Sequence, residues 1–194
     1  GMKERYPGVF FSQFTGAELV ADKWNLSRED LDKFALESHQ KAAHATESKY
    51  FDREILPVEG RNAEGMNDLV MADEGIRFDA SLDKLAGLNP VTEGGVITAG
   101  NASQITDGAA AVMVCNDAGL KKIQANPRAE IVSISVVGDD PVFMLTGPIP
   151  ASIQALKTAN LTIDDMDLYE VNEAFAPVPL AWAEDLKADR SKLN

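Results

Sequence analysis

Tyr169-Glu170-Val171-Asn172-Glu173-Ala174-Phe175 is the stretch on which the fold reading turns. Asp167 to Val171 is short, apolar and β-prone, and reads as a strand. It breaks at Asn172, and from Glu173 onward the chain can start a helix. A polar residue at a strand-to-helix turn sits at the end of a sheet, where α/β folds place ligands. The Asn172 amide offers both a donor and an acceptor, so it can hold a water or a carbonyl oxygen. An ordinary N-cap fits Asn172 as well, and the local pattern alone favours that plainer role.

Strand and helix signals alternate on either side of this stretch. Downstream, Pro177 and Pro179 fall inside the expected helix. Proline is tolerated there only in the first turn, so a kink or a late start is expected. Upstream, Thr162 caps a short turn, and Pro148 or Pro150 opens a helix running to Lys157. Glu130 to Val137 is β-rich. Asn116 or Asp117 caps a helix to Ile123, and the continuous apolar run Ala109 to Cys115 has the length of a buried strand. Val96 to Thr98 reads as a further short strand. The small residues from Ala99 to Gly108 let a backbone approach a ligand or another backbone closely, and tight packing between elements explains them equally well.

The first half is richer in helix. Thr15 can cap a helix from Gly16 to Trp24. Ser27 with Asp30 resembles a capping box ahead of a long helix between Leu26 and Tyr50. Leu31, Phe34, Ala35, Ser38, Ala42 and Ala45 form its apolar or small stripe, with Asp32, Lys33, Glu37, Gln40 and Lys41 opposite. His39 and His44 lie on this helix five apart, whereas ligands on one face prefer three or four, so they read as structural and no metal site is expected. Glu54 to Val58 is an expected edge strand, with Pro57 in it. Glu59 to Gly75 reads as a surface excursion whose methionines fill gaps. Ser81 caps a short helix through Leu85, ended by Gly87 and Pro90.

Composition narrows the function classes. The 194 residues carry a net charge of -13, which argues against a general nucleic-acid binder and requires any anionic ligand to find a local site. No apolar run reaches the ~18 residues of a membrane span, and no secretory pattern opens the chain. Gly1 ahead of Met2 reads as a tag remnant. A single cysteine leaves no internal disulfide and fits a cytoplasmic setting.

Three motifs carry a family resemblance. Asn172-Glu173-Ala174-Phe175 resembles the Asn-Glu-Ala-Phe motif of thiolases, the acetyl-CoA acetyltransferases. Thr98-Ala99-Gly100-Asn101-Ala102-Ser103, followed by Asp107-Gly108-Ala109-Ala110-Ala111, resembles a second thiolase signature, and Thr146-Gly147-Pro148-Ile149-Pro150-Ala151 a third. They stand in the family's order, and the resemblance covers nearly the whole chain. It implies an α/β, thiolase-like fold: a loop domain plus incomplete pieces of the two βαβαβαββ halves. On that plan residues 1–105 are the CoA-binding loop domain, 106–126 the end of the N-terminal half and 127–194 the start of the C-terminal half.

The resemblance also implies chemistry. Thiolases make or break a carbon–carbon bond in a 3-ketoacyl-CoA through an acylated cysteine thiolate, with a histidine and a second cysteine moving protons. Asn172 takes the role of holding the water of an oxyanion hole. Arg77 and Leu88 match positions at the adenine end of CoA, Ala99 and Ser103 positions beside the pantetheine arm, and Met144 and Phe175 apolar positions at the acyl end. Lys84 stands where biosynthetic members often carry serine, and Ser12 and Gln13 where some carry histidine and methionine, which leaves the acyl preference open. The nucleophilic cysteine, the catalytic histidine and the final cysteine fall outside these residues, and Cys115, inside an apolar run, is expected to be structural. The chain alone is therefore expected to be inactive, with coenzyme A or acyl-CoA as substrate and no permanently bound cofactor. Apolar strands without their full half-domain are expected to drive homo-oligomerisation. The alternative is a stand-alone acyl-CoA binder or an interaction remnant of the same ancestry.

Overall fold

The structure, a computed structural model, describes residues 1–62 and 64–194. Its ordered elements run α1 Met2–Arg5, α2 Gln13–Lys23, α3 Arg28–Glu47, β1 Val58–Arg61, β2 Asn67–Val70, α4 Leu82–Ala86, α5 Asp117–Ile123, α6 Pro148–Ala159 and α7 Pro177–Leu186. Short 3-10 turns occupy Ile163–Asp165 and Arg190–Lys192.

Local chemistry sets the helix ends. The Asp30 amide donates to the Ser27 hydroxyl at 3.2 Å, and the Ser27 amide donates to the Asp30 carboxylate at 2.9 Å, so the expected capping box opens α3. Ser81 and Asn116 cap α4 and α5, accepting from Lys84 and Gly119 amides. Pro148 begins α6. The helix after Asn172 starts late, at Pro177, which puts both prolines in the first turn where no helical amide is lost. The N-cap of α2 is Ser12 and not Thr15, which lies inside the helix.

The core gathers where α2, α3 and α7 meet the extended segments around Ile97 and Tyr169. Ala17, Leu31, Phe34, Ile97, Val171, Phe175 and Trp182 are among its members. Polar tips tie the layers together. Trp182 Nε1 donates to Ser152 Oγ at 2.9 Å across α7 and α6, Trp24 Nε1 donates to Asp185 Oδ1 at 2.8 Å across α2 and α7, and the Tyr169 ring meets Trp182 edge-on at 5.3 Å.

Strand expectations fare differently. Residues 59–75 contain a hairpin: β1 and β2 pair antiparallel with Val58 opposite Val70 and Arg61 opposite Asn67, and β1 begins at Val58, where the Glu54 to Val58 strand was expected to end. Gly60 lets the two strands close there, since a Cβ would lie 2.8 Å from Val70 Cγ2 and push that side chain aside. Val96 to Thr98 contributes only the bridge of Thr98 with Pro90, and Asp167 to Val171 only the parallel bridge of Tyr169 with Leu193. Ala109 to Cys115 and Glu130 to Val137 form no strand among the described residues, and both are largely exposed, contrary to the buried strand expected of the first and the strand expected of the second. A strand exists only through its neighbours' hydrogen bonds, and among the described residues neither run pairs with another strand; the second touches α6 only through a side chain, Ser135 Oγ donating to Ala151 O at 2.6 Å. Cys115 is correspondingly exposed.

Candidate functional site

The segment Val96–Gln104 is held from several sides. On α2, the Glu18 carboxylate accepts from the amides of Val96 at 3.0 Å and Ile97 at 3.0 Å. Within the loop, Thr98 N donates to Asn101 Oδ1 at 2.8 Å, and Asn101 Nδ2 donates to Val96 O at 3.0 Å and to Asp32 Oδ1 on α3 at 3.1 Å. Beyond it, Ser103 N donates to Ala174 O and Ala176 N donates to Asn101 O, each at 2.9 Å, so the loop forms a bridge with Phe175. Gly100 packs on the α4 turn, where a Cβ would come within 2.6 Å of Leu85 Cδ2 and Leu88 Cδ1. The second and first motifs quoted above are thus laid against one another, with Leu88 beside them.

A cavity of about 200 Å³ opens between this loop and α3, lined among others by Ser38, His39, Ser103, Gln104 and Glu173. Ser38 Oγ donates to Glu173 Oε2 at 2.7 Å. Burial holds the Glu173 carboxyl above the usual carboxylate range; Glu170 adds to the effect, while Ser38 and Lys41 oppose it. His39 Nδ1 accepts from the Arg77 amide at 3.3 Å, and burial, helped by the Arg77 charge, lowers its pKa.

The expected site residues divide. Ala99 and Ser103 lie exposed on the braced loop, and Leu88 packs on Gly100 at its edge. Arg77 is exposed, its backbone anchored to His39 and its guanidinium donating to Glu74 O at 3.4 Å. Phe175 is only 4% exposed, with its ring edge-on to Phe14 at 5.3 Å, so it is a core residue in this chain. Asn172 is exposed and faces a different cavity of about 320 Å³, shared with Tyr169, Ser152 and Trp182. Met144, at a left-handed φ of 60, lines a third cavity with Phe11 and Asp140. Asn172 and Met144 therefore do not share a cavity with Ser103. Lys84 forms an exposed ion pair with Asp79, Ser12 occupies the N-cap position of α2 without a side-chain capping bond, and Gln13 is the first residue of α2.

Sequence reasoning missed Asp32, which it placed on the polar face of α3. Asp32 is only 3% exposed, and Arg28 and Asn101 satisfy its oxygens. The signal was Arg28 and Asp32 at i, i+4. Among the described residues no group of three or more His, Cys, Asp or Glu side chains is placed to hold a metal ion, and no helix is long and apolar enough to cross a membrane. Neither histidine serves Cys115: His39 lines the first cavity, and the His44 ring lies edge-on to Tyr50 at 6.0 Å.

Comparison with known proteins gives this geometry its class. The thiolase N-terminal domain matches residues 8–118 and the thiolase C-terminal domain residues 125–194, so the chain belongs to the thiolase family. Among relatives, a steroid 3-ketoacyl-CoA thiolase of Mycobacterium tuberculosis is 48% identical over 190 residues, covering 98% of this chain and 45% of that protein. The mitochondrial 3-ketoacyl-CoA thiolase of Rattus norvegicus is 44% identical over 179 residues, 92% of this chain and 45% of its own length. The crystal structure of human mitochondrial 3-ketoacyl-CoA thiolase superposes with a TM-score of 0.87 at 44% identity, covering 93% of this chain and 46% of that one. That of the Bacillus anthracis acetyl-CoA acetyltransferase superposes with a TM-score of 0.90 at 38% identity, covering 97% and 48%. The fold is thus a mixed α/β, thiolase-like one, and the chain spans about half the length of the relatives it matches.

Proposed function

We propose that this chain supplies the CoA-binding portion of a thiolase that cleaves or forms 3-ketoacyl-CoA, and that it does not turn over substrate by itself. The observation that carries the reading is the loop Thr98–Ser103, braced by α2, α3 and the Ala174–Ala176 backbone, with Leu88 seated on Gly100. Such a loop presents a small residue, Ala99, and a hydroxyl, Ser103, on an exposed edge, which admits a pantetheine arm and meets its amides. Arg77 stands one hydrogen bond from the same cavity, through His39, and its planar guanidinium suits both an adenine face and a phosphate. In this reading Met144 and Phe175 belong to the acyl end and Asn172 to an oxyanion hole, which needs the separate cavities lined by Met144 and Asn172 to join, and the buried Phe175 ring to be uncovered, in the working assembly. The domain division follows the same plan: residues 1–105 a loop domain, then 106–126 and 127–194 parts of two halves.

The inactivity follows from Cys115. It lies on an exposed run, while His39 lines the first cavity and His44 packs on Tyr50, so neither histidine is placed to serve as its base in this reading. We further propose that the uncovered runs Ala109–Cys115 and Glu130–Val137 join copies of the chain into a homo-oligomer.

Calorimetric titration with CoA, alongside an acetoacetyl-CoA thiolysis assay on the same 194-residue protein, tests the reading. Binding without turnover is the expected result. Turnover would overturn the inactivity, and absence of binding would overturn the CoA site.

A further inference from the structure

Asp32 is a buried carboxylate on a helix face otherwise made of Leu31, Phe34 and Ala35. A buried charge persists only when its oxygens are met, and here they are met in two directions. Oδ2 accepts from Arg28 Nε at 2.7 Å, one turn earlier on α3. Oδ1 accepts from Asn101 Nδ2 at 3.1 Å. Each partner carries the connection onward. The Arg28 guanidinium donates through Nη2 to Leu85 O and to Leu88 O, the latter at 3.1 Å, closing the end of α4. Asn101, itself buried, receives Thr98 N at 2.8 Å and fixes the start of the loop. One carboxylate thus connects the Leu88 turn to the Thr98–Ser103 loop, two segments that α3 does not otherwise join through charge.

We infer that Asp32, with Arg28, is a positioning residue for CoA: it sets the separation between Leu88, at the adenine end, and Ala99 and Ser103, along the pantetheine arm. The inference rests on the CoA reading of this site. A ligand that spans two segments binds best when their spacing is fixed beforehand, because the ordering cost is not drawn from the binding energy. Asp32 touches no ligand in this account. It acts by holding Arg28 in its fork geometry and Asn101 in its rotamer.

Asp32→Asn keeps the shape and an acceptor for Asn101 but removes the charge that holds Arg28. Arg28→Lys keeps the charge but loses the fork, and it serves if the first variant fails to fold. The measurement is the CoA dissociation constant of the full 194-residue chain by calorimetry, paired with hydrogen–deuterium exchange over residues 82–89 and 96–104. For either folded variant, affinity is expected to fall about tenfold, the lysine variant falling less, while exchange rises in both segments and helix content is unchanged. Lys33→Gln, on the exposed face of the same helix, is expected to leave affinity where it was. Raised exchange with unchanged affinity would make Asp32 a structural residue only, and unchanged exchange would remove its hold on the segments; either overturns the inference. A wild-type chain that binds no CoA overturns the binding reading itself, and this inference with it, which separates the two failures.

Discussion

Glu173 shows how one carboxyl can carry the pH response of the site. Burial raises its pKa, and Ser38, donating at 2.7 Å, only partly offsets that. A group that takes up its proton more readily folded than unfolded contributes stability that is complete below the ordinary carboxylate range and lost as pH rises through the raised value. Glu173→Gln removes this loss, so the melting temperature of the variant relative to wild type is expected to be higher at pH 7 than at pH 4; an equal difference at both would refute it. Asp30 has the opposite sign. Hydrogen bonds from Ser27 lower its pKa, so its contribution is present above the ordinary range and lost as pH falls through the lowered value. His39 works in the same direction as Asp30. Its Nδ1 must be unprotonated to accept from the Arg77 amide, and burial lowers its pKa. Its NMR titration is expected to have a midpoint below that of a free histidine, and a midpoint at or above that value would contradict the contact. Fold and site differ in legibility here. Asn172 stood out in the sequence, yet which cavity it opens on depends on packing around Tyr169 and Trp182 that no local pattern records. Asp32 was misplaced because a periodicity sorts residues by polarity, whereas a paired carboxylate can lie on the buried side.

At the scale of elements, helices were legible and strands were not. A helix satisfies its own backbone, so caps such as Ser27, Ser81 and Asn116 and prolines such as Pro148 are sufficient to place it. A strand satisfies its backbone through another segment, and the apolar runs at 109–115 and 130–137 have the composition of strands but no strand partner among the described residues. The hairpin β1–β2 went the other way, since polar residues with Gly60 read as loop but pair with one another. The capping box of α3 gives a direct check. Ser27→Ala leaves the Asp30 amide without its acceptor and is expected to cost about 1 kcal/mol in denaturant unfolding, with no change in CoA affinity. Leu31, fully buried between α3 and the core, gives the contrasting case: Leu31→Ala is expected to cost about 2–5 kcal/mol by the same measurement. Equal costs for the two would mean that α3 is not packed as described.

For the whole molecule, surface area decides whether the chain stands alone. Its accessible surface is 14319 Å², against about 9,000 Å² for a compact monomer of 20.9 kDa. Part of the excess is apolar and local: Val112 is 88% exposed and Val136 89%, with Met113, Val114, Ile131, Val132 and Ile134 beside them. Apolar area left in water costs roughly 25 cal/mol per Å², and an unpaired strand also offers its amides and carbonyls to any strand that can reach them. The net charge of -13 opposes association at long range but is screened within about 8 Å at physiological salt, whereas edge pairing and apolar burial are contact effects. Contact therefore prevails, and the wild-type chain is expected to elute from size exclusion as an oligomer, more completely as salt is raised. Val112→Lys together with Val136→Lys places a charge in each exposed run and is expected to shift the chain toward monomer without loss of helix content, since neither residue touches the core formed by α2, α3 and α7. A wild-type chain that is a stable, folded monomer at every salt concentration would show that these runs find cover within a single copy, by a rearrangement that pairs them with each other.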